Sequence, residues 1–204
     1  MIKIKNIIFD LGGVLLNIDY TKTSSAFRNL GVENFDEKFS QFYSDELFEK
    51  LETGKISETN FYSKIKACIA HPVYDTEIEI AWNAMILSFR TESLRFLESM
   101  APNYRLFLLS NTNSIHLRFF QQVFIRDTGK PSLDDYFSKC WYSHLLGLRK
   151  PGKEIYEFVL MDADIRADET LFIDDSINNI EAAAAIGIIT HHLKEGENVE
   201  GLKY

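Results

Sequence analysis

The chain has 204 residues, of which 46% are hydrophobic and 25% are charged, and its formal net charge is -8. A chain of this length can bury a substantial core in one or two domains, and its low Gly and Pro counts exclude the collagen-like, low-complexity and disordered classes. Since an acidic chain repels nucleic acid and no apolar run reaches the ~20 residues that cross a bilayer, we expect neither partner. If the partner is a small anion, local cations must hold it.

The first residues and the cysteines predict a cytoplasmic protein. The first apolar run is too short for a secretory signal and ends in an acidic residue, Asp10. Cys68 and Cys140 are too few and too far apart for a disulfide framework or a zinc site, so we expect both to be reduced.

Five short apolar runs are typical of buried parallel strands, and three of them are continuous, as in strands covered on both faces. In chain order the runs are Ile4–Phe9, Tyr104–Leu109, Cys140–Tyr142, Leu171–Ile173 and Ile188–Thr190. Between them lie helix-like segments at Ser93–Met100, Ser114–Phe124, Pro151–Met161 and Asn178–Ile186, and a polar surface loop at Ile125–Asp135. This alternation predicts an α/β fold with a doubly wound, Rossmann-like parallel sheet in the order 3-2-1-4-5.

The stretch from about Asn17 to Phe89 interrupts that alternation with apolar residues at helical spacing. The helices predicted there are Ala26–Leu30, Phe39–Leu51, Phe61–Ile69 and Ile78–Phe89. We therefore expect a helical-bundle domain of residues 17–92, inserted into an α/β core domain of residues 1–16 and 93–204.

Reactive side chains stand where the predicted strands end. Asp10 follows the first strand, Ser110 and Asn111 follow the second, and Asp174 and Asp175 follow the fourth. Ligands of open α/β sheets bind at the carboxyl ends of the strands, near the point where the strand order reverses. The predicted order places that point between the first and fourth strands, so we expect the three carboxylates to face each other there.

Three converging carboxylates repel one another unless a cation lies between them. Mg²⁺ is the natural candidate, because it takes carboxylate oxygens, waters and substrate phosphate as ligands. Lys150, after the third strand, adds a positive charge, and Ser110 with the following backbone N–H groups adds hydrogen bonds. Each residue alone could be an ordinary helix cap or a solvated loop charge. Together, each near a strand end, they favour a phosphate site with a carboxylate able to attack phosphorus.

Four phrases carry a family resemblance. They are Ile7-Ile8-Phe9-Asp10-Leu11-Gly12-Gly13-Val14-Leu15, Leu108-Leu109-Ser110-Asn111-Thr112, Arg149-Lys150-Pro151 and Phe172-Ile173-Asp174-Asp175-Ser176. Their order and spacing resemble the haloacid dehalogenase-like (HAD) superfamily of Mg²⁺-dependent phosphohydrolases. The helical insert looks like the small cap of the branch with β-phosphoglucomutase and glucose-1-phosphate phosphatase, as does the phrase Glu52-Thr53-Gly54-Lys55-Ile56-Ser57.

The resemblance implies a role for each motif residue. Asp10 would be the nucleophile that forms an aspartyl-phosphate, and it would bind Mg²⁺ together with the backbone carbonyl of Gly12 and the carboxylate of Asp175. Asp174 would be an alternate ligand, or it would contact the groups that bind the metal rather than the metal itself. The phosphoryl oxygens would be held by Ser110, Asn111 and Lys150. Lys150 would also balance the charge of Asp10.

Gly12 departs from the family pattern. Most HAD phosphatases carry an Asp at this position as general acid and base, and losing such a group lowers the rate by ~10²–10⁴-fold. A Gly-Gly form of the motif also occurs in the branch that this sequence resembles. Asp19 is the nearest spare carboxylate, but it is better explained as a helix cap.

Other polar residues have weaker functional interpretations. His116 is better explained as a surface residue and His144 as a structural one. His191-His192 could suggest a metal site, but at the end of the fifth strand they lack nearby partners. Lys22 and Arg28 are candidate cations for a further anionic group of the substrate.

We expect a phosphatase of a small phosphorylated metabolite, with a sugar phosphate favoured. A metal-independent 2-haloacid dehalogenase is a second enzyme hypothesis, although the pair Asp174-Asp175 argues against it, since that site must accept a carboxylate. A low-activity HAD scaffold with a binding or regulatory role is the non-enzyme alternative, and Gly12 is the feature that favours it. The sequence leaves the oligomeric state open.

Overall fold

A computed structural model describes residues 4–32, 35 and 46–202 of the chain. The strands are β1 (Asn6–Phe9), β2 (Leu16–Ile18), β3 (Ile86–Phe89), β4 (Arg105–Ser110), β5 (Lys139–Tyr142), β6 (Thr170–Asp174) and β7 (Ile189–His192). The helices are α1 (Tyr20–Asn29), α2 (Glu46–Glu52), α3 (Glu58–Lys66), α4 (Asp75–Asn83), α5 (Thr91–Met100), α6 (Ser114–Thr128), α7 (Ser143–Leu146), α8 (Lys153–Asp162) and α9 (Ile177–Ala185). Short 3₁₀ turns lie at Leu133–Tyr136, Ala167–Glu169 and Val199–Gly201.

Five parallel strands form the central sheet in the order β5-β4-β1-β6-β7. When the five strands of this sheet alone are numbered along the chain, without β2 and β3, their order is the predicted 3-2-1-4-5. The α/β class is confirmed. The sheet is covered on both faces, because Ile7 and Phe9 pack into one apolar cluster while Ile8, between them, packs into another. Burial on both faces explains why these strands have continuous apolar sequences.

The helices α1 to α4 pack around a third apolar cluster of their own. Its fully buried members include Phe27, Phe61 and Ile78, and Ile115 of α6 joins it from the core. Aromatic rings fill this cluster, with Phe48 stacked on Trp82 at a centroid distance of 4.9 Å. We call α1 to α4 the helical segment. The division of the chain at 16/17 and 92/93 stays a prediction.

The sequence-based helix boundaries need three corrections. The predicted helix Ile78–Phe89 ends at Asn83, and β3 follows it and pairs antiparallel with β2, a two-stranded sheet that the sequence did not predict. The helix ends because the Thr23 hydroxyl donates to the Trp82 carbonyl at 3.1 Å and accepts from Met85 N at 3.0 Å.

The predicted loop Ile125–Asp135 is also wrong at its start, since α6 continues to Thr128 and ends at Gly129, whose φ is 69°. The predicted helix Ala26–Leu30 begins earlier, at Tyr20, after the cap residue Asp19. Of the predicted helix Phe39–Leu51, residues 39–45 lie outside the described residues. Within the described ranges no helix has the length and apolar character needed to span a bilayer.

Candidate active site

The sheet topology brings three strand ends to one place. Asp10 directly follows β1, while Ser110 and Asp174 are the last residues of β4 and β6, the two neighbours of β1. Because the three strands are parallel, their carboxyl ends share one edge of the sheet. The side chains that the sequence placed at strand ends are therefore neighbours in space.

Lys150 lies at the centre of these groups and is 1% exposed. Its Nζ donates to Asp10 Oδ1 at 2.5 Å, to Asp174 Oδ2 at 2.7 Å and to the Leu109 carbonyl at 2.9 Å. Burial alone would lower the pKa of Lys150, but the charges of Asp10 and Asp174 raise it above its ordinary value. The ammonium is thus held positive inside the protein, where it offsets carboxylate charge.

The carboxylates of Asp10, Asp174 and Asp175 offer oxygen atoms that all lie within 4.8 Å of one another. Burial raises the pKa of Asp10 to about 7 and, together with the charge of Asp174, that of Asp175 to about 6. A cluster of buried carboxylate oxygens with more negative charge than one lysine can balance suits a small hard cation. The donor set therefore fits Mg²⁺.

The two acidic residues after β6 have different surroundings. The carboxylate of Asp174 accepts hydrogen bonds from Ser176 N at 2.8 Å and from Asn179 Nδ2 at 3.0 Å, in addition to the one from Lys150. Asp175 lies against the Gly13 backbone, and its Oδ2 would be only 2.1 Å from a Cβ at Gly13. Asp174 is thus largely engaged by the protein, and Asp175 lies against the loop after β1.

Gly12 and Gly13 differ in what surrounds them. Gly13 has a φ of 75°, a conformation that favours glycine. A Cβ at Gly12 would meet only the end of the Ile18 side chain, with Cδ1 at 3.2 Å. The site therefore has room for a side chain at Gly12, given a small movement of Ile18.

Ser110 and Asn111 close the site on the β4 side. Ser110 is 3% exposed. The Asn111 side chain is bonded to the backbone of Lys150 in both directions, donating to its carbonyl at 2.8 Å and accepting from its N–H at 2.9 Å. Asn111 therefore fixes the Lys150 loop, which the sequence did not indicate, and its contact with phosphate stays a prediction.

The structure explains Asp19 and His116 as structural residues. Asp19 caps α1, accepting from the Thr21 hydroxyl at 2.6 Å and from Thr21 N at 3.0 Å. His116 is buried rather than on the surface, so that prediction is wrong: it stacks on Trp82 and lies 2.8 Å from Asn83 Oδ1. Burial lowers the pKa of His116 to about 3, which keeps the ring neutral.

The remaining histidines and the two candidate cations differ in how close they lie to the carboxylate cluster. The prediction that His191-His192 lack nearby partners is wrong for His192. Its Nε2 lies 3.0 Å from the Asp175 carbonyl and therefore next to the carboxylate cluster. Burial lowers the pKa of His144, whose backbone carbonyl packs against the loop after α2. Lys22 and Arg28 are both exposed on α1.

Sequence reasoning missed three side chains beside this cluster. Arg149, directly before Lys150, contacts Glu52 of the helical segment at 3.0 Å between Nη2 and Oε2. Burial, followed by the charges of Asp175 and Glu52, raises the pKa of the Tyr20 phenol. The only sequence signals are that Arg149 precedes a motif lysine and that Glu52 begins the phrase before Gly54.

Known proteins resemble this chain along nearly its whole length. A family model described as haloacid dehalogenase-like hydrolase matches residues 4–187. D-ribitol-5-phosphate phosphatase of Bacteroides thetaiotaomicron is 32% identical over 193 residues, covering 95% of this chain and 93% of that protein. A sesquiterpene phosphatase of Aspergillus oryzae is 28% identical, covering 94% and 90%. The crystal structure of a HAD family enzyme from B. thetaiotaomicron, in complex with magnesium and inorganic phosphate, superposes with a TM-score of 0.89 at 35% identity, covering 98% of this chain and 100% of that one.

Proposed function

Because the chain belongs to the haloacid dehalogenase-like hydrolase family, we propose that it is a Mg²⁺-dependent phosphomonoester hydrolase of a small sugar or polyol phosphate. The observation that carries this proposal is the cluster of three carboxylates, two of which accept hydrogen bonds from the Lys150 ammonium. The sequence relative that acts on ribitol 5-phosphate supports a polyol chain in the leaving group. A cytoplasmic location stays a prediction.

Asp10, Asp175 and the backbone carbonyl of Gly12 would hold Mg²⁺, with Asp174 as an alternate ligand. The bound ion supplies positive charge that attracts the phosphate oxygens and balances the carboxylates. The bonds from Lys150, Ser176 and Asn179 to Asp174 favour a supporting role for that residue, since its oxygens already have donors.

Asp10 would act as the nucleophile. One of its carboxylate oxygens forms a bond to phosphorus while the bond between phosphorus and the ester oxygen breaks, and the departing oxygen takes up a proton. A water molecule then attacks the phosphorus of the aspartyl-phosphate, which releases inorganic phosphate and restores the Asp10 carboxylate. Lys150, 2.5 Å from Asp10 Oδ1, favours the ionised carboxylate that the first step needs.

The transferred phosphate would lie between Lys150 and the end of β4. The Ser110 hydroxyl and the backbone N–H groups of the following loop, including that of Asn111, would donate to its oxygens. Asn111 contributes a second effect, because its side chain holds the Lys150 backbone in place.

The helical segment would act as a cap that excludes water and selects the leaving group. Its apolar cluster supports a separate domain built on α1 to α4, whereas Met85, Ile86 and Phe89 of the predicted range 17–92 pack into a cluster of the core. Gly12 is the observation that favours a second candidate, a slow or non-catalytic HAD scaffold, because the proton for the departing oxygen must come from another group.

Replacing Asp10 with Asn tests the proposal. We expect D10N to lose phosphate release from a generic aryl phosphate in the presence of Mg²⁺, while the matched control Asp168→Asn, at an exposed ion pair with Arg166, keeps it. Activity retained by D10N would contradict the mechanism. Halide release from a 2-haloacid without Mg²⁺ would favour the dehalogenase alternative, and an aryl phosphate left intact by the wild type would favour the binding scaffold.

A further inference from the structure

One ion pair joins the helical segment to the loop that carries Lys150. Arg149 Nη2 lies 3.0 Å from Glu52 Oε2, and Nη1 lies 3.9 Å from Glu49 Oε2. Glu52 is the last residue of α2, and the Arg149 and Glu52 side chains are 26% and 24% exposed. Two carboxylates therefore face one guanidinium, and negative charge is in excess at this contact.

The loop after α2 packs closely on the core, which keeps Glu52 beside the active site. Gly54 has a φ of 65°, and a Cβ there would lie 2.4 Å from the His144 carbonyl oxygen. Burial raises the pKa of Glu52, against the effect of the Arg149 charge. Glu52 contacts Arg149, which directly precedes Lys150, the residue bonded to Asp10 and Asp174, so this carboxylate lies next to the loop that supplies the lysine of the site.

The cations of that loop already have anionic partners. Lys150 donates to Asp10 and Asp174, and Arg149 contacts Glu52. With Mg²⁺ bound, the site can balance one phosphate group. Burial raises the pKa of Glu52, and Arg149 and Lys150 are the described cations whose charges act to lower it.

Arg90 directly precedes α5, and it is engaged as well. Its Nε donates to Asn17 Oδ1 at 2.9 Å and its Nη1 to the Val14 carbonyl at 3.2 Å. These bonds tie Arg90 to β2 and to the loop after β1.

We infer that Glu52 determines specificity by charge: it admits a substrate with one phosphate and an uncharged, hydroxyl-bearing leaving group, and it disfavours a second anionic group. This inference rests on the proposed phosphatase function. The Glu52 carboxylate repels an anion at the far end of the substrate and accepts hydrogen bonds from hydroxyl groups there. Arg149 positions that carboxylate.

The experiment compares two substrates that differ only at one end, a pentitol 5-phosphate and the pentonic acid 5-phosphate of the same configuration. Hydrolysis by the wild type, Glu52→Gln and the matched control Glu58→Gln is measured with saturating Mg²⁺. Glu58 also belongs to the helical segment and also binds a core arginine, Arg118, at 2.5 Å and 2.9 Å. A generic aryl phosphate reports whether each protein is an active phosphatase.

We expect the wild type and E58Q to prefer the pentitol phosphate in kcat/KM, and E52Q to reduce that preference by about tenfold or more, because one partly buried charge is lost. Equal kcat/KM values for the two substrates in the wild type, or a preference for the pentonic acid phosphate, would overturn the inference whether or not E52Q folds. An unchanged ratio in folded E52Q would also overturn it. A wild type inactive on all three phosphates would instead contradict the proposed function.

Discussion

The backbone of Gly13 lies directly against the carboxylate of Asp175. A Cβ at Gly13 would be 2.1 Å from Asp175 Oδ2 and 2.6 Å from its Cγ, closer than non-bonded atoms can approach. The contact joins the loop after β1 to the loop after β6. The loop that follows one predicted metal ligand, Asp10, therefore positions another, Asp175. Glycine is needed here for its positive φ and for its lack of a side chain.

Gly13→Ala should therefore weaken Mg²⁺ binding strongly, because the new methyl group must displace the Asp175 carboxylate. Isothermal titration of Mg²⁺ into the apoprotein measures this effect directly. Gly129→Ala is the matched control: Gly129 also has a positive φ, 69°, and a Cβ there would meet nothing within 4 Å. Both variants should lose roughly 1–2 kcal/mol of folding free energy to the backbone conformation, but only G13A should lose Mg²⁺ affinity. Equal affinities in the two variants would contradict the role of this contact.

Gly12→Asp should raise the turnover of substrates with poor leaving groups. The site has room for the side chain, since the nearest atom is Ile18 Cδ1 at 3.2 Å from the Cβ position. A general acid at this place supplies a proton to the departing oxygen and is worth ~10²-fold or more. Measured kcat should rise for an alkyl phosphate and change little for an aryl phosphate with a good leaving group. Gly12→Asn, similar in size but unable to act as an acid, is the control, and an equal gain in both variants would exclude proton transfer as the cause.

The parts of the fold that follow from local sequence were predictable. The strands β1, β4 and β6 are buried on both faces, and that burial is visible as uninterrupted apolar runs. The end of α4 was not predictable, because it depends on hydrogen bonds from Thr23, which lies 59 and 62 positions away from its partners. The short strand β3 gains its backbone hydrogen bonds by pairing with β2, and no local pattern records that pairing.

The candidate site also contains some residues that could be predicted from the sequence and others that could not. Asp10, Ser110 and Asp174 could be predicted because a parallel sheet brings the ends of neighbouring strands together. The contact of Glu52 with Arg149 could not, because it depends on how the helical segment packs on the core. The partner of His192 was missed for another reason: the pairing of β6 with β7 brings its ring to the carbonyl of Asp175, 17 positions earlier.

His192→Leu should weaken Mg²⁺ binding. The ring Nε2 lies 3.0 Å from the Asp175 carbonyl, which can only accept, so Nε2 carries the hydrogen and helps to orient the loop. Losing a partner of the ligating group itself typically lowers metal affinity by ~10–100-fold, and we expect a smaller loss here because His192 holds the backbone of Asp175. Calorimetric Mg²⁺ titration should show this loss in H192L and a partial recovery in His192→Gln, which keeps an N–H donor. His191→Leu removes the neighbouring ring, 3.7 Å from Glu197, and should bind Mg²⁺ normally. An H192L protein with wild-type affinity would contradict the prediction.

The contribution of His116 to stability should shrink as the pH falls from 7 to 5. Burial holds the pKa of this ring at about 3 in the folded protein, below the ordinary value of 6.5 that applies in the unfolded chain. Between these values the unfolded chain binds more protons, so folding becomes less favourable as the pH decreases. Urea unfolding of the wild type and of His116→Asn, at pH 7 and pH 5, measures the effect as the difference between the two proteins, which removes the contributions of Asp10 and Asp175, groups common to both. The advantage of the wild type in free energy of unfolding should be larger at pH 7, and an advantage that grows toward pH 5 would mean that His116 is charged in the folded protein.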